Sequence, residues 1–542
     1  MLILGIYGGL QRGNYDASAA LISDGKIIAI AEEERFTLVK KAPGLLPSHA
    51  IRYCLKAGNV SIQDIDCVVY PGSTYVNMVS RLETFFRFHF GHTPPIQLLN
   101  HHLAHASSVF RVSGLEQSVI LTIDYSGDQT ATAVWYGNGK NIELLFKEDF
   151  PNSLGLFYAM VTQYLGFEFG EDEYKVMGLA AYCEDGADLS WLLDTSNEVY
   201  QLSSEYMRTK EVKGEPSFSP QENLYSSLMK DRLGEPRVPG AELGETHQYL
   251  ARGAQLELEK ALKNLTLKAI KQTGCRNICL AGGVALNCSA NMHIANLPEV
   301  ERCFVAPFSG DTGLAIGAAM ERYSNEENIT GSFELKSPYW GPEYSDDEIE
   351  SALKNVGVKY EKIENPSKTA GELISQGKII GWFQGRMEIG PRALGNRSIL
   401  GDPRDPKMKD SINHAVKYRE SFRPFAPSVL SDKAHEFFEE VFYSPYMTFV
   451  FRVKDDKKDL IPSVVHADQT SRIQSVTQDM NPLYYELITE FYRQTDIPMV
   501  INTSFNVKGQ PIVENPIQAV STFYGSGLNA LVIGKYLLQK ES

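Results

Sequence analysis

The sequence predicts an α/β protein of more than one domain, and three observations carry that prediction. A pattern of strand, polar loop and hairpin occurs twice within the first 150 residues. Further on, strands run into glycine-rich loops that open helices, as at 277–290 and again up to residue 323. At 542 residues the chain also exceeds the size at which one core keeps growing.

The first copy opens with the apolar strand Leu2 to Tyr7 and the loop GGLQRGNYD, and continues with a strand from Ala17 to Ile22, the turn Asp24-Gly25 and a strand from Lys26 to Ala31. Asp-Gly between apolar runs signals a hairpin, because the favoured two-residue turns need positive φ. The second copy has a strand from Ser118 to Ile123, the polar loop Asp124-Tyr125-Ser126-Gly127-Asp128, a strand from Ala131 to Tyr136, the turn Asn138-Gly139 and a strand from Ile142 to Phe146. Two such copies predict a duplicated α/β domain with its ligand between them.

Helices are expected at Ser48 to Lys56, at Asn77 to Phe90 and, with apolar Leu250, Ala254, Leu256, Leu258, Ala261 and Leu262, from about Thr246 to Thr273. Residues 184–245 are polar and irregular and read as a surface insertion. The strand Asn277 to Leu280 enters the loop Ala281 to Asn287, and a second loop, Ala306 to Gly313, precedes the small-residue helix Leu314 to Tyr323. Backbone N–H groups at such turns can cradle phosphate or ribose. The first domain therefore takes residues 1–323, a polar linker 324–345, and a second domain 346–542, which ends with the strand Pro498 to Asn502, the loop TSFNVKGQP and a closing helix and strand.

Composition excludes several classes. Hydrophobic content is 43% and charged content 22%, and no run reaches the roughly 18 apolar residues of a membrane span. The opening MLILGIYGGL has no basic leader and reads as a buried strand, so the expected location is the cytoplasm. Seven cysteines without a C-x-x-C pair argue against a disulfide framework and a zinc ribbon. A formal charge of -15 disfavours nucleic acid, including tRNA, as a partner.

Against that acidity, Gln384 to Val429 carries nine Lys or Arg and five acids. Arg386, Arg392 and Arg397 sit in Gly/Pro turns, where guanidinium forks and exposed N–H groups suit a small phosphorylated ligand. A second constellation is His101 and His105, four apart and so on one helix face, with Asp124 and Asp311 at strand ends. Two imidazoles and two carboxylates suit Fe(II), Mn(II) or Zn(II).

GRMEIGPRALGNRSI at 385–399 with FRPFAP at 422–427 resembles the NodU/CmcH/TobZ-type carbamoyltransferases. The likeness spans nearly the whole chain through EEERF at 32–36, HHLAH at 101–105, EYKVMGLA at 173–180, GGVALN at 282–287, SGDTGLAIGAA at 309–319 and NTSFN at 502–506. It implies an N-terminal duplicated ASKHA domain of the TsaD/Kae type and a C-terminal YrdC-like α/β domain, whose Lys-x-Arg and Ser-x-Asn signature matches Lys417, Arg419, Ser504 and Asn506. It further implies that the YrdC-like domain makes carbamoyl adenylate from carbamoyl phosphate and ATP, with Mg as ATP's companion ion. Arg386, Arg392, Arg397, Arg423 and Asn502 would join Lys417, Arg419, Ser504 and Asn506 around those ligands. The first domain, holding iron, would pass the carbamoyl group to a small-metabolite hydroxyl, or an amine, and release AMP. There the adenylate would meet Gly127, Asp128, Lys175, Gly282, Gly283, Asn287, Gly310 and Gly313. Family members often pair as homodimers.

The chain departs from the family on the acceptor side. Tyr15 stands where a histidine base is usual, Asp16 follows it, and of the usual Lys-His after EEERF only Lys40 carries over. Tyr15, Asp16 and Lys40, with Lys417 and Arg419, are the expected catalytic set. Tyr125 stands where glycine is common. The alternative function is a nucleotide-binding or partner-binding protein that keeps the fold without turnover.

Overall fold

The computed structural model describes residues 1–9, 15–208, 223–326, 334–417, 419–420 and 422–540. Parts of the expected first loop (10–14), insertion (209–222) and linker (327–333) lie outside the described residues. The chain divides into two compact units, Met1–Ile30 with Pro43–Leu335, and Ala31–Ala42 with Lys336–Ser542. The segment 31–42, read from sequence as part of the first domain, thus clusters with the C-terminal unit, for reasons given below. In the linker stretch, Leu335 donates its backbone N–H to Val112 of the first unit, while Pro338 and Pro342 accept from Ile389 and Met387 of the second.

In the N-terminal unit, β1 (Leu2–Tyr7), β2 (Ser18–Ser23), β3 (Lys26–Glu32), β4 (Cys67–Pro71) and β5 (Ile96–Leu99) form a sheet of order β3-β2-β1-β4-β5. A second sheet uses β6 (Gln117–Gly127), β7 (Thr130–Asn138) and β8 (Asn141–Asp149), with β11 (Asn277–Ala281) and β12 (Arg302–Val305), in the order β12-β11-β6-β7-β8. The short ribbon β9 (Leu193–Asp194) with β10 (Gln201–Leu202) lies in the insertion. In each large sheet the leading strand pairs antiparallel with its hairpin neighbour and parallel with the strand on its other side. That is the duplicated ASKHA architecture.

Parallel neighbours need crossovers, and helices provide them. In the first half these are α2 (Ser48–Gly58) and α3 (Met78–Phe90); in the second, α8 (Glu245–Thr273) and α9 (Cys288–Ala295). The Asp24-Gly25 turn has positive φ at both residues, 45° and 77°, as the hairpin signal requires.

Helix α10 (Leu314–Ser324) lies against both β1 and α4 (His101–Phe110), and its small residues are the reason. A Cβ at Gly317 would come within 2.0 Å of the Ala104 carbonyl, and one at Gly5 of β1 within 1.8 Å of the Ala315 carbonyl. This close packing fixes the two histidines of α4 relative to Asp311, which lies in the turn leading into α10.

The C-terminal unit is built on an eight-stranded mixed sheet that includes β13 (Glu361–Lys362), β19 (Gln474–Val476), β21 (Ala530–Ile533) and β22 (Tyr536–Gln539), in the order β13-β22-β21-β14-β15-β20-β16-β19. Its central strands are β14 (Ile380–Phe383), β15 (Arg397–Gly401), β20 (Met499–Ser504) and β16 (Ala426–Leu430). Helices α12 (Pro366–Ser375), α15 (Pro482–Thr495) and α16 (Pro516–Tyr524) each start with proline after an asparagine whose side chain accepts a first-turn N–H. Asn-Pro satisfies one orphan donor and presets φ, so these starts are locally encoded. Among the described residues no helix is long and apolar enough to cross a membrane.

Candidate functional site

Four side chains from three places in the N-terminal unit converge. His101 and His105 project from the first turns of α4, whose Asn100 cap accepts from the Leu103 N–H at 3.0 Å. Asp124 stands where β6 breaks register between Ile123 and Gly127, and Asp311 opens the turn ahead of α10. His105 Nε2 lies 3.0 Å from Asp124 Oδ2 and 3.4 Å from Asp311 Oδ1; His101 Nε2 lies 3.6 and 3.9 Å from the same atoms. One ligand atom from each of the four residues falls within 4.8 Å of all the others.

The electrostatics of this quartet are those of a cation site. Both ring nitrogens of His101 and Nδ1 of His105 are buried without a hydrogen bond among the described residues. Leaving such atoms unpaired costs about 1–3 kcal/mol each, so an ion between nitrogens and carboxylates would meet an unmet demand. Burial lowers the pKa of His105, but its hydrogen bonds to Asp124 and Asp311 outweigh this and lift it to about 9. Although burial opposes it, the two histidines hold the Asp124 carboxyl well below its ordinary value. Two imidazole nitrogens with two carboxylate oxygens fit a divalent first-row metal.

The surroundings explain why these groups stay put. Gly127 lies under the His101 ring, where a Cβ would come within 2.1 Å of it. At Gly282, φ is 90° and a Cβ would come within 2.2 Å of the Ile123 carbonyl, so only glycine lets this loop pass β6. Gly283 faces Asp124 Oδ1 at 3.1 Å from an ideal Cβ, and a Cβ on Gly313 would meet the Phe308 carbonyl at 2.1 Å. Gly310 has only Leu286 nearby, at 3.6 Å. His102 is a scaffold residue: its ring meets Thr122 Oγ1 and the Thr130 carbonyl, both at 2.9 Å, and burial pushes its pKa down to about 3.

Two residues expected at the adenylate are otherwise engaged. Asp128 accepts from the backbone and hydroxyl donors of Ser73 and Thr74 and from the His101 N–H, at 2.8–3.0 Å. Its carboxylate is saturated, so it braces the start of α4 and does not face a ligand. Asn287 caps α9 and trades hydrogen bonds with Gln255 at 2.8 and 3.1 Å, which occupies both ends of its amide. Lys175 is tied to Asp172 at 2.9 Å and lies 5.4 Å from the Phe167 ring centre. Tyr15 and Asp16 are half-buried in the N-terminal unit, Asp16 with φ 58°. Lys40 is exposed within the segment that clusters with the C-terminal unit.

In the C-terminal unit the Lys-x-Arg and Ser-x-Asn residues do come together. Lys417 Nζ donates to the Ser504 carbonyl, to Asn506 Oδ1 at 2.6 Å, to the Asn506 carbonyl at 3.0 Å and to Ser504 Oγ at 3.2 Å. Burial and then the Arg419 and Arg423 guanidiniums push its pKa well below the usual lysine value. Arg419 is steadied by Asn413 Oδ1 at 2.6 Å and stands 4.4 Å from the Phe425 ring centre; Arg423 pairs with Glu420 at 3.5 Å. The net result is a buried cationic corner.

The other predicted phosphate ligands lie in the loop that Gly385 and Gly395 turn, and two of them are deeply buried. Arg397 is fully buried, donates to the carbonyls of Gln384, Asn396, Pro342 and Gly385 at 2.6–3.1 Å, and lies 3.7 Å from the Phe383 ring centre. Asn502 is buried and donates to Ala393, Ser428 and Gln474. The hydrogen bonds of both go to the fold of this region. Arg386 donates to the Trp340 and Gly341 carbonyls at 2.8 and 3.3 Å, and Arg392 is half-buried.

Sequence reasoning missed the anchors of this loop. Glu388 Oε1 accepts from the N–H groups of Leu394, Asn396 and Arg397, and Glu32 Oε1 accepts from Gly390 at 2.6 Å. Arg35 donates to the Gly390 carbonyl at 2.9 Å and pairs with Glu32 and Glu34. EEERF is therefore a clamp on the GPRALGNR loop, which is why 31–42 joins the C-terminal unit.

Comparison with known proteins decides the family. The carbamoyltransferase N-terminus family model matches residues 78–320 and the carbamoyltransferase C-terminus model residues 371–540. The chain belongs to the carbamoyltransferase family. This carbamoyltransferase is 37% identical to nodulation protein NolNO of Sinorhizobium fredii, over 100% of the chain and 83% of that protein. It is 36% identical to nodulation protein NolO of Bradyrhizobium diazoefficiens over 82% and 79%, and 33% identical to an uncharacterized protein of Synechocystis over 98% and 96%. Among solved structures, the activator of the 2-hydroxyisocaproyl-CoA dehydratase from Clostridium difficile aligns with 60% of the chain, covering 94% of its own, at 15% identity and a TM-score of 0.35. That likeness is too distant to inform function.

Proposed function

We propose that this carbamoyltransferase makes carbamoyl adenylate from carbamoyl phosphate and ATP in its C-terminal unit, and transfers the carbamoyl group in its N-terminal unit to a small-metabolite hydroxyl or amine. The observation that carries this reading is the union of Lys417 with Ser504 and Asn506 beside Arg419 and Arg423. Three cations, Lys417, Arg419 and Arg423, thus stand together, and a set of that charge suits phosphates. Lys417 holds the Ser504–Asn506 turn, and the two arginines neutralise the charge that collects as pyrophosphate leaves. The overall balance is carbamoyl phosphate, ATP and one water giving carbamoyl adenylate, phosphate and pyrophosphate.

In the N-terminal unit, His101, His105, Asp124 and Asp311 would hold a divalent ion, with iron as the family expectation. Bound there, it would supply Lewis-acid and templating chemistry for a phosphate ester. Asp16 or Tyr15 takes the proton of the acceptor as its oxygen or nitrogen attacks the carbamoyl carbon, and AMP departs with the electrons of the broken C–O bond. A tyrosine of ordinary pKa, about 10, is a weak base at neutral pH, which favours Asp16.

The test is AMP and pyrophosphate formation from ATP and carbamoyl phosphate by purified protein. Wild type forms pyrophosphate without acceptor, and Arg419→Ala falls at least about 100-fold. Equal rates for both proteins would refute the assignment of the adenylating site.

A further inference from the structure

The duplication identifies a residue of the N-terminal site that no motif marks. In the second half, the last parallel partner of β6 on β11 is Thr122, opposite Ala281, and Asp124 follows two residues later. In the first half, the last parallel partner of β1 on β4 is Gly5, opposite Val69, and Tyr7 follows two residues later. Since β1 and β6 hold the same place in matching sheets, Tyr7 is the positional counterpart of the ligand Asp124.

Its surroundings agree. Tyr7 is 3% exposed and meets the His101 ring edge-on, with centroids 5.9 Å apart and planes at 72°. After burial itself, the strongest charge acting on its phenol is that of Asp311, with Tyr75, Tyr70 and Asp124 behind. Its stacked neighbour Tyr70 donates its hydroxyl to the Gly8 carbonyl, but the Tyr7 hydroxyl makes no hydrogen bond among the described residues. The Tyr7 hydroxyl is not among the sealed polar atoms that lack a partner, so it stays open to a ligand that accepts from it. Toward an anionic oxygen the phenol acts as the donor.

We propose that the Tyr7 hydroxyl donates a hydrogen bond to a phosphate oxygen of the nucleotide held at the His101, His105, Asp124 and Asp311 cluster. This rests on the reading that the cluster receives the AMP moiety. Tyr7 is then a binding residue for the phosphate and not a ligand of the metal.

Titration calorimetry on the full chain loaded with Mn(II) tests it, using AMP and adenosine as probes. Tyr7→Phe keeps Mn(II) affinity within about twofold and keeps its thermal midpoint. AMP binding weakens about tenfold or more, as for a hydrogen bond to a charged group, while adenosine binding is unchanged. An unchanged AMP affinity in Tyr7→Phe overturns this inference alone. So does an equal loss for adenosine, or a loss of Mn(II). Wild-type protein that binds Mn(II) but not AMP overturns the reading of the site and this inference with it.

Discussion

The histidine-aspartate quartet and the arginine-rich loop are both dense in charged residues, yet their polar atoms are spent in opposite ways. In the quartet, His101 has two buried nitrogens with no hydrogen bond, and its Nε2 faces the carboxylates of Asp124 and Asp311 across 3.6 and 3.9 Å. In the loop, the two terminal guanidinium nitrogens of Arg397 donate to four carbonyls and one Glu388 oxygen accepts from three N–H groups, although Arg397 Nε and Glu388 Oε2 make no bond. Nitrogens and carboxylates that converge within 4.8 Å mark a place for a ligand; side chains whose bonds go to the loop's own backbone mark a scaffold. A conspicuous motif does not tell the two apart, because a buried arginine that folds a loop and one that binds phosphate need the same glycine-rich turns.

The comparison can be broken most sharply at the quartet. His101→Ala removes a proposed metal ligand, and Mn(II) or Fe(II) affinity should fall by at least about 100-fold while circular dichroism is unchanged. Retained affinity would make the histidines scaffold too. Arg397→Met should do the reverse: it strands four carbonyls and destabilises the C-terminal unit by roughly 3–5 kcal/mol, read by urea unfolding. A stable variant with lost substrate affinity would return Arg397 to the phosphate site.

Asp128→Asn sharpens the middle ground. As a brace on the His101 N–H it should lower metal affinity about tenfold without abolishing it. A nucleotide ligand would instead lose AMP binding at unchanged metal affinity. The smallest effect is a pH dependence. Lys417 binds anions when protonated, and its pKa lies well below 10.5 because of burial and its arginine neighbours. Affinity for inorganic phosphate should therefore decline as pH rises through a range well below 10.5, and Lys417→Met should lack that limb. A flat profile in wild type would show that Lys417 only anchors the Ser504–Asn506 turn.

What could be read in the sequence follows the same division. The duplicated hairpins, the i,i+4 histidines and the Asn-Pro helix starts are local signals on regular elements, and Leu2–Tyr7 and Glu245–Thr273 form close to where periodicity puts them. Asp124 and Asp311 were legible because a strand end and a glycine turn deliver side chains predictably. Asp128, four residues past Asp124, was not, since its contact with Ser73 and Thr74 joins segments more than 50 residues apart. For the same reason the structural role of EEERF was not legible, since Glu32 and Arg35 reach Gly390, more than 350 residues away. Tyr7 carried no motif and emerged only once the two sheets could be laid strand for strand.

The most direct test of two separate chemistries is pyrophosphate formation by Asp311→Asn, supplied with ATP, Mg and carbamoyl phosphate. Losing an N-terminal ligand should abolish metal binding there, yet pyrophosphate should still form within about twofold of the wild-type rate. Loss of pyrophosphate together with the metal, in protein that remains folded, would contradict the assignment of adenylation to the C-terminal unit.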